Sequence, residues 1–161
     1  MLIKLTADMK RVVTEQRLAF VATVCQDGTP NLSPKGTIAV WDDNHLVFVD
    51  IRSPGTIANL RKNTAMEINV VDPFARKGYR FKGKGEVIAE GERFEEIMRF
   101  FRGRWVDTVR EQRKALVQAF VLLKVERALP LISPAYDDGT DERTIRRFWI
   151  SHFGSLNKSF E

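Results

Sequence analysis

The sequence predicts a mainly β protein, a six-stranded antiparallel barrel with flanking helices, on three observations. Six runs are rich in β-branched and aromatic residues, most are joined by short turns, and few segments between them carry a helical period. Strands that follow one another through tight turns pair antiparallel, and curling them into a barrel removes exposed sheet edges.

The elements follow in order. Thr6 to Gln16 reads as a helix, with Thr6 or Asp8 as its cap and Met9, Val12 and Val13 on its apolar face. Leu18 to Val24 is the first strand, and Asp27-Gly28 a hairpin turn before Pro30. Asn31 to Trp41 is the second strand, interrupted at Ser33-Pro34-Lys35-Gly36. Proline and glycine inside a strand pattern mark a bulge or a place where something approaches the backbone. Leu46 to Asp50 is the third strand, followed by a helix at about Pro54 to Lys62. Ala65 to Val71 and Tyr79 to Ala89 are the fourth and fifth strands. A helix from Arg93 to about Val106 places Phe94, Ile97, Met98 and Phe101 at helical spacing. Gln118 to Glu126 is the sixth strand, and a loop then leads to a short helix from about Asp141. The pattern reads as one domain over 1–161, with the barrel core at about 15–127 and a C-terminal loop and helix over 128–161.

Composition excludes several classes. Hydrophobic residues make up 43% and charged residues 29%, so disorder is not expected. No apolar run approaches the roughly 20 residues that cross a bilayer, and Met1 to Val13 lacks a secretory pattern. One cysteine, Cys25, and two histidines, His45 and His152, leave no metal site to argue for. The expectation is a cytoplasmic protein with no metal and no membrane partner. The net charge of +5 is scattered among acids, which argues against a nucleic-acid partner and leaves room for an anionic small ligand.

The junction after the third strand is the most informative segment. Arg52, Ser53, Pro54, Gly55 and Thr56 lie between a β-branched run and a helical pattern. Free N–H groups and the positive end of the helix dipole make such a junction a phosphate site, and Arg52 adds a cation. Taken alone, the same residues are more commonly an ordinary capped helix, with Ser53 as cap, Pro54 at the first turn and Arg52 in solvent. Lys35 stands in an apolar strand context, either as an edge-strand charge or as a cation facing a polar ligand, with Gly36 opening the backbone to it. Arg80, Lys82 and Lys84 alternate and share one face of the fifth strand; Arg80 and Lys82 are placed to reach an anion or a ring. Tyr136 and Trp149 stack on a planar ligand or anchor the tail, and both readings stand. No catalytic constellation can be assigned.

Taken in order, LAFVATVCQDGTPNLSPKGTIAV, HLVFVDIRSPGTIANLRKN, AMEINVV and YRFKGKGEVI resemble the pyridoxamine 5'-phosphate oxidase-like family, the FMN-binding split barrels, in its small uncharacterised branch. The resemblance implies a Greek-key split barrel, a homodimer, and an FMN site at the subunit interface. It implies that Arg52, Ser53 and Thr56 hold the phosphate, with Asn59 in the flanking helix. The ring would lie against Ser33, Pro34, Lys35, Gly36 and Thr37, against Val49 and Asp50, and against Arg80, Phe81 and Lys82. Biosynthetic oxidases carry an Arg-Lys pair where Pro54-Gly55-Thr56 stands here, and their C-terminal arginine motif is absent; Arg146-Arg147 has a different context. These departures argue against vitamin B6 oxidation. The implied function is a flavin-dependent oxidoreductase. The alternatives are a non-catalytic FMN carrier, sensor or electron-transfer module, or a barrel that binds haem or a deazaflavin.

Overall fold

The β-branched runs form β1 (Ala19–Val24), β2 (Pro30–Lys35), β3 (Ala39–Val40), β4 (His45–Asp50), β5 (Ala65–Asp72), β6 (Lys77–Ile88) and β7 (Ala119–Ile132) in a computed structural model that describes residues 3–102, 104 and 116–158. They make one antiparallel sheet in the order β2-β1-β5-β6-β7-β4-β3. The count is seven rather than six because the run from Asn31 to Trp41 breaks at 36–38. Its two halves pair with β1 and β4, at opposite edges of the sheet. So short a connection requires the edges to approach each other, so the sheet curls into a half-barrel. Pro30 has no N–H to give the ladder, yet it is the first residue of β2 and lies opposite Val24, at the strand end where a proline is tolerated.

Two strands run longer than their sequence pattern suggests. β7 continues past Glu126 to Ile132 through Pro130. Beyond Lys124 it has only β6 beside it, and an edge tolerates a residue with no N–H. β6 carries a bulge between Lys82 and Gly83. A Cβ on Gly83 would lie 1.9 Å from the Lys124 carbonyl oxygen, so only glycine fits where the two backbones touch.

The helices are α1 (Ala7–Gln16), α2 (Pro54–Lys62), α3 (Glu92–Arg102) and α4 (Glu142–Asn157). The Thr6 hydroxyl caps α1, accepting from the Met9 N–H at 3.2 Å. The sequence carries α3 on to about Val106; residues 103, 105 and 106 lie outside the described set. α4 is longer than the short helix expected and passes through Gly154. No described helix is long and apolar enough to cross a membrane.

Two apolar clusters hold these layers. Val21, Phe48, Ile68, Phe81, Val121 and Leu123 fill the barrel. Val47, Val49, Ile97, Phe101, Phe120 and Leu122 pack on the other side of β4 and β7, beneath α3. β4 therefore buries both faces, which is why it reads as an unbroken apolar run rather than an alternating one. Each of its large side chains contributes roughly 1.5–3 kcal/mol by leaving water.

Candidate functional site

β2 reverses the usual strand pattern. Its register against β1 sets Asn31 opposite Thr23, Ser33 opposite Val21 and Lys35 opposite Ala19, on the face that looks into the barrel. Leu32 points the other way and is 64% exposed. The polar row is covered by α2, and a seam of hydrogen bonds joins the two elements. Asn31 Nδ2 donates to Thr23 Oγ1 at 3.1 Å and to Thr56 Oγ1 at 3.4 Å. Asn59 Nδ2 donates to the same Thr23 oxygen at 3.0 Å and lies 3.6 Å from Cys25 Sγ. The Ser33 and Thr56 hydroxyls are 3.3 Å apart.

Lys35 is the centre of this seam. It is 6% exposed, its ammonium donates to Ser33 Oγ and Ser53 Oγ, each at 2.6 Å, and it lies over the Phe48 ring, 5.8 Å from the ring centre. Burial lowers its pKa, and the negative charge of Asp50 works in the opposite direction. Asp50 is 2% exposed, and its Oδ1 is buried with no hydrogen-bond partner. An unpartnered carboxylate oxygen in such a place costs free energy unless something donates to it.

Ser53 stands at the N-cap of α2, yet its side chain makes no capping bond; its hydroxyl oxygen accepts from Lys35 instead. The N–H groups of Gly55 and Thr56 have no acceptor within the helix by its geometry. Arg52 is exposed and makes no hydrogen bond or ion pair with another described residue. The junction thus carries a cation with no partner among the described residues, N–H donors without a helical acceptor, and a buried residue, Thr56, at 2% exposure.

The remaining residues singled out from the sequence fall into three places. Thr37 Oγ1 accepts from the Val49 N–H at 3.0 Å, which ties the turn at Pro34-Gly36 to the end of β4, while the Val49 side chain lies in the cluster beneath α3. Phe81 is fully buried in the barrel core, between Ile68 of β5 and Ala128 of β7, and is not open to a ligand. Arg80 and Lys82 point to the outer face of the sheet, and both lie on Glu67, at 2.8 and 3.0 Å. The Arg80 Nε–H is not directed at that carboxylate and has no hydrogen-bond partner. The phosphate-end and ring-end sets inferred from the sequence therefore regroup: Ser33 and Lys35 join Ser53 and Thr56, and Arg80 and Lys82 stand apart on the opposite face. The Lys35–Ser53 contact and the unpartnered Asp50 oxygen have no local sequence signal.

Tyr136 and Trp149 are tail anchors. The Tyr136 hydroxyl donates to the Ala75 carbonyl at 2.6 Å, and the Lys77 ammonium lies 4.1 Å from its ring centre. The Arg76 guanidinium lies 3.4 Å over Trp149. Arg146 pairs with Asp72 at 2.7 Å and Glu142 at 2.8 Å, so it is engaged in holding α4 to the β5–β6 turn.

With this geometry in hand, the chain can be set beside known proteins. Residues 5–129 match the family described as pyridoxamine 5'-phosphate oxidase. Group A Streptococcus HupZ is 33% identical over 80% of this chain and 94% of its own, with a TM-score of 0.67. An FMN-binding protein from Syntrophomonas wolfei is 17% identical over 76% of this chain and 82% of its own, with a TM-score of 0.61. An F420 reductase is 18% identical over 77% of this chain and 98% of its own, with a TM-score of 0.58. At the last two identities the likeness is one of fold. No curated protein matches the chain.

Proposed function

The chain belongs to the pyridoxamine 5'-phosphate oxidase family, and we propose that it binds FMN in the seam between β2 and α2 and acts as a flavin-dependent oxidoreductase. The observation that carries this reading is Asp50 Oδ1, a buried acceptor without a donor beside the buried cation of Lys35. The residues present fit the group. A flavin ring offers an imide N–H for Asp50 to accept, and its N1–C2=O edge suits a cation such as Lys35. Arg52, Ser53, Thr56 and the free N–H groups at the start of α2 suit a phosphate dianion. Lys35 touches hydroxyls of both β2 and the α2 cap, so it links the two ends of the site. FMN, when bound, supplies the hydride or electron transfer; the chain's residues bind it, orient it and hold charge beside it.

The reading includes a homodimer with the flavin at the subunit interface. Phe20, Leu32 and Leu129 are exposed on the outer face of the sheet, at 44%, 64% and 37%, around the Glu67, Arg80 and Lys82 charges. An apolar patch rimmed by charge marks an interaction surface. A second copy on that face supplies the simplest way for Arg80 and Lys82 of one protomer to meet Lys35 and Asp50 of another.

Titrating the apo-protein with FMN, followed by flavin fluorescence, tests the binding. Saturable quenching at micromolar ligand is expected; its absence removes the reading. A deazaflavin is the second reading, favoured by the fold it shares with an F420 reductase. The visible spectrum of the purified protein separates the two and would reveal haem by a Soret band. Stopped-flow reduction by NADH and NADPH distinguishes an enzyme from a carrier. Sedimentation velocity tests the dimer.

A further inference from the structure

A second cleft lies outside the seam, where the end of α1, the turn between β2 and β3, and the end of α3 meet. It has a volume of about 240 Å³ and is lined by Thr14, Arg17, Thr37, Ile38, Phe101 and Arg104 among others. At about 30 Å³ per water this is room for about eight waters, or one ring and a small polar group. No acidic residue is among the described residues that line it. Neither Arg17 nor Arg104 makes an ion pair with a described residue.

Both arginines are held by structure rather than by charge. Arg17 is the C-cap of α1 in the left-handed conformation, φ 54°, with its backbone N–H on the Val13 carbonyl. Glycine is the residue that this backbone favours, so an arginine there costs about 1 kcal/mol that no ion pair with a described residue offsets. The Arg104 guanidinium lies 4.2 Å over the Phe100 ring. A guanidinium held over a ring face can still donate its N–H groups to a carboxylate. Ile38 and Phe101, at 5% and 3% exposure, supply an apolar wall.

We propose that this cleft binds a small organic anion with a planar apolar body, an aromatic carboxylate in chemical class. The two cations select the charge, and the apolar wall selects the ring over a bare inorganic anion. Thr37 belongs to the turn assigned above to the flavin ring, so on the FMN reading the occupant is the substrate. The binding itself rests on no flavin, and the two ideas fail separately.

The test is a titration of flavin-free protein with 4-fluorobenzoate, read by its 19F line width. Saturable broadening at millimolar ligand is expected, at least fivefold weaker in Arg17→Gly and in Arg104→Ala. Because glycine suits the Arg17 backbone, Arg17→Gly should melt no lower than the parent, which separates loss of the site from loss of the fold. Binding unchanged in both variants would overturn the proposal. So would equal broadening of neutral 4-fluorobenzamide, or competition by inorganic phosphate at the same concentration as the benzoate.

Discussion

Two regions of this molecule use the same chemistry to opposite ends. At the seam between β2 and α2, Lys35, Asp50 and Thr56 are buried and Ser53 is half-buried, yet Asp50 Oδ1 has no partner and Arg52 pairs with no described residue. At the β5–β6 turn, the tail is fastened by closed pairs: Asp72 with Arg146, Glu142 with Arg146 and Lys77, and Tyr136 with the Ala75 carbonyl. The Asp72 carboxylate also accepts from the Phe74 and Ala75 N–H groups, at 2.9 and 3.0 Å. One region keeps polar capacity in reserve inside the protein; the other spends it on holding a helix. Satisfied polar groups rigidify, whereas unsatisfied buried ones mark a place where a ligand completes the structure.

The sharpest way to break this comparison is Lys35→Met. It leaves Asp50 buried without its nearby cation, so the apo-protein should lose about 3 kcal/mol of stability. FMN binding should weaken at least 100-fold by fluorescence titration. Adding Asp50→Leu should restore the melting temperature and leave the binding lost. If the double variant binds FMN as the parent does, the seam is structural and the contrast fails.

Arg146→Ala should act on the other region alone. Its pair with Asp72 lies between exposed and buried, with side-chain exposures of 36% and 9%. A loss of about 1–2 kcal/mol is expected, between the values for surface and buried pairs, with FMN affinity unchanged. Arg52→Ala should do the converse. Because Arg52 is exposed and pairs with no described residue, apo stability should move by less than about 0.5 kcal/mol while FMN affinity falls about tenfold. Equal losses of melting temperature with and without FMN would make Arg52 structural.

The smallest effect is one of pH. Burial works to raise the Asp72 pKa, but the N–H groups of Ala75 and Phe74 and the Arg146 charge outweigh it and hold it below its ordinary 3.8. Hydrogen bonds from Arg146 and Lys77 lower Glu142 below 4.5. Groups with depressed folded values stabilise above their unfolded values, and that stability is lost as pH falls through the folded ones. The fastening of α4 should therefore be complete at neutral pH and weaken below about pH 4. Hydrogen exchange over Glu142–Asn157, corrected for intrinsic rate, should show the loss before the barrel strands do. Simultaneous loss in both would mean that the tail and the barrel unfold as one unit.

How far the sequence carried these conclusions depends on the range of the interactions. β4 was legible because its apolar run is local, and α2 because Pro54 and the spacing of Ile57 and Leu60 are local. The break at Ser33-Pro34-Lys35-Gly36 was visible as an interruption. That its two sides belong to opposite sheet edges was not, since curvature is a property of the whole sheet. Pro130 reads as a strand end unless one knows that β7 has no second neighbour there. Lys35 was legible as a misplaced cation, but its partner Ser53 comes from another element, and the Asp72–Arg146 pair joins residues far apart in the chain. Assigning Arg80 and Lys82 to the same ligand face as Lys35 required knowing which side of the sheet each occupies within one protomer.

The pairing of β4 with β7 has a consequence for the making of the protein. Asp50 lies beside Ala119 and His45 beside Lys124, so β4 waits for a partner that leaves the ribosome much later. Until then its two apolar faces have neither β7 nor the cluster that β7 brings. Pairings this distant in sequence place folding toward the slow, millisecond-to-second end of small-domain rates. Chains stopped before residue 119 should accumulate in the insoluble fraction, whereas chains stopped after β7, lacking the Pro134–Tyr136 turn and α4, should remain in solution and fold.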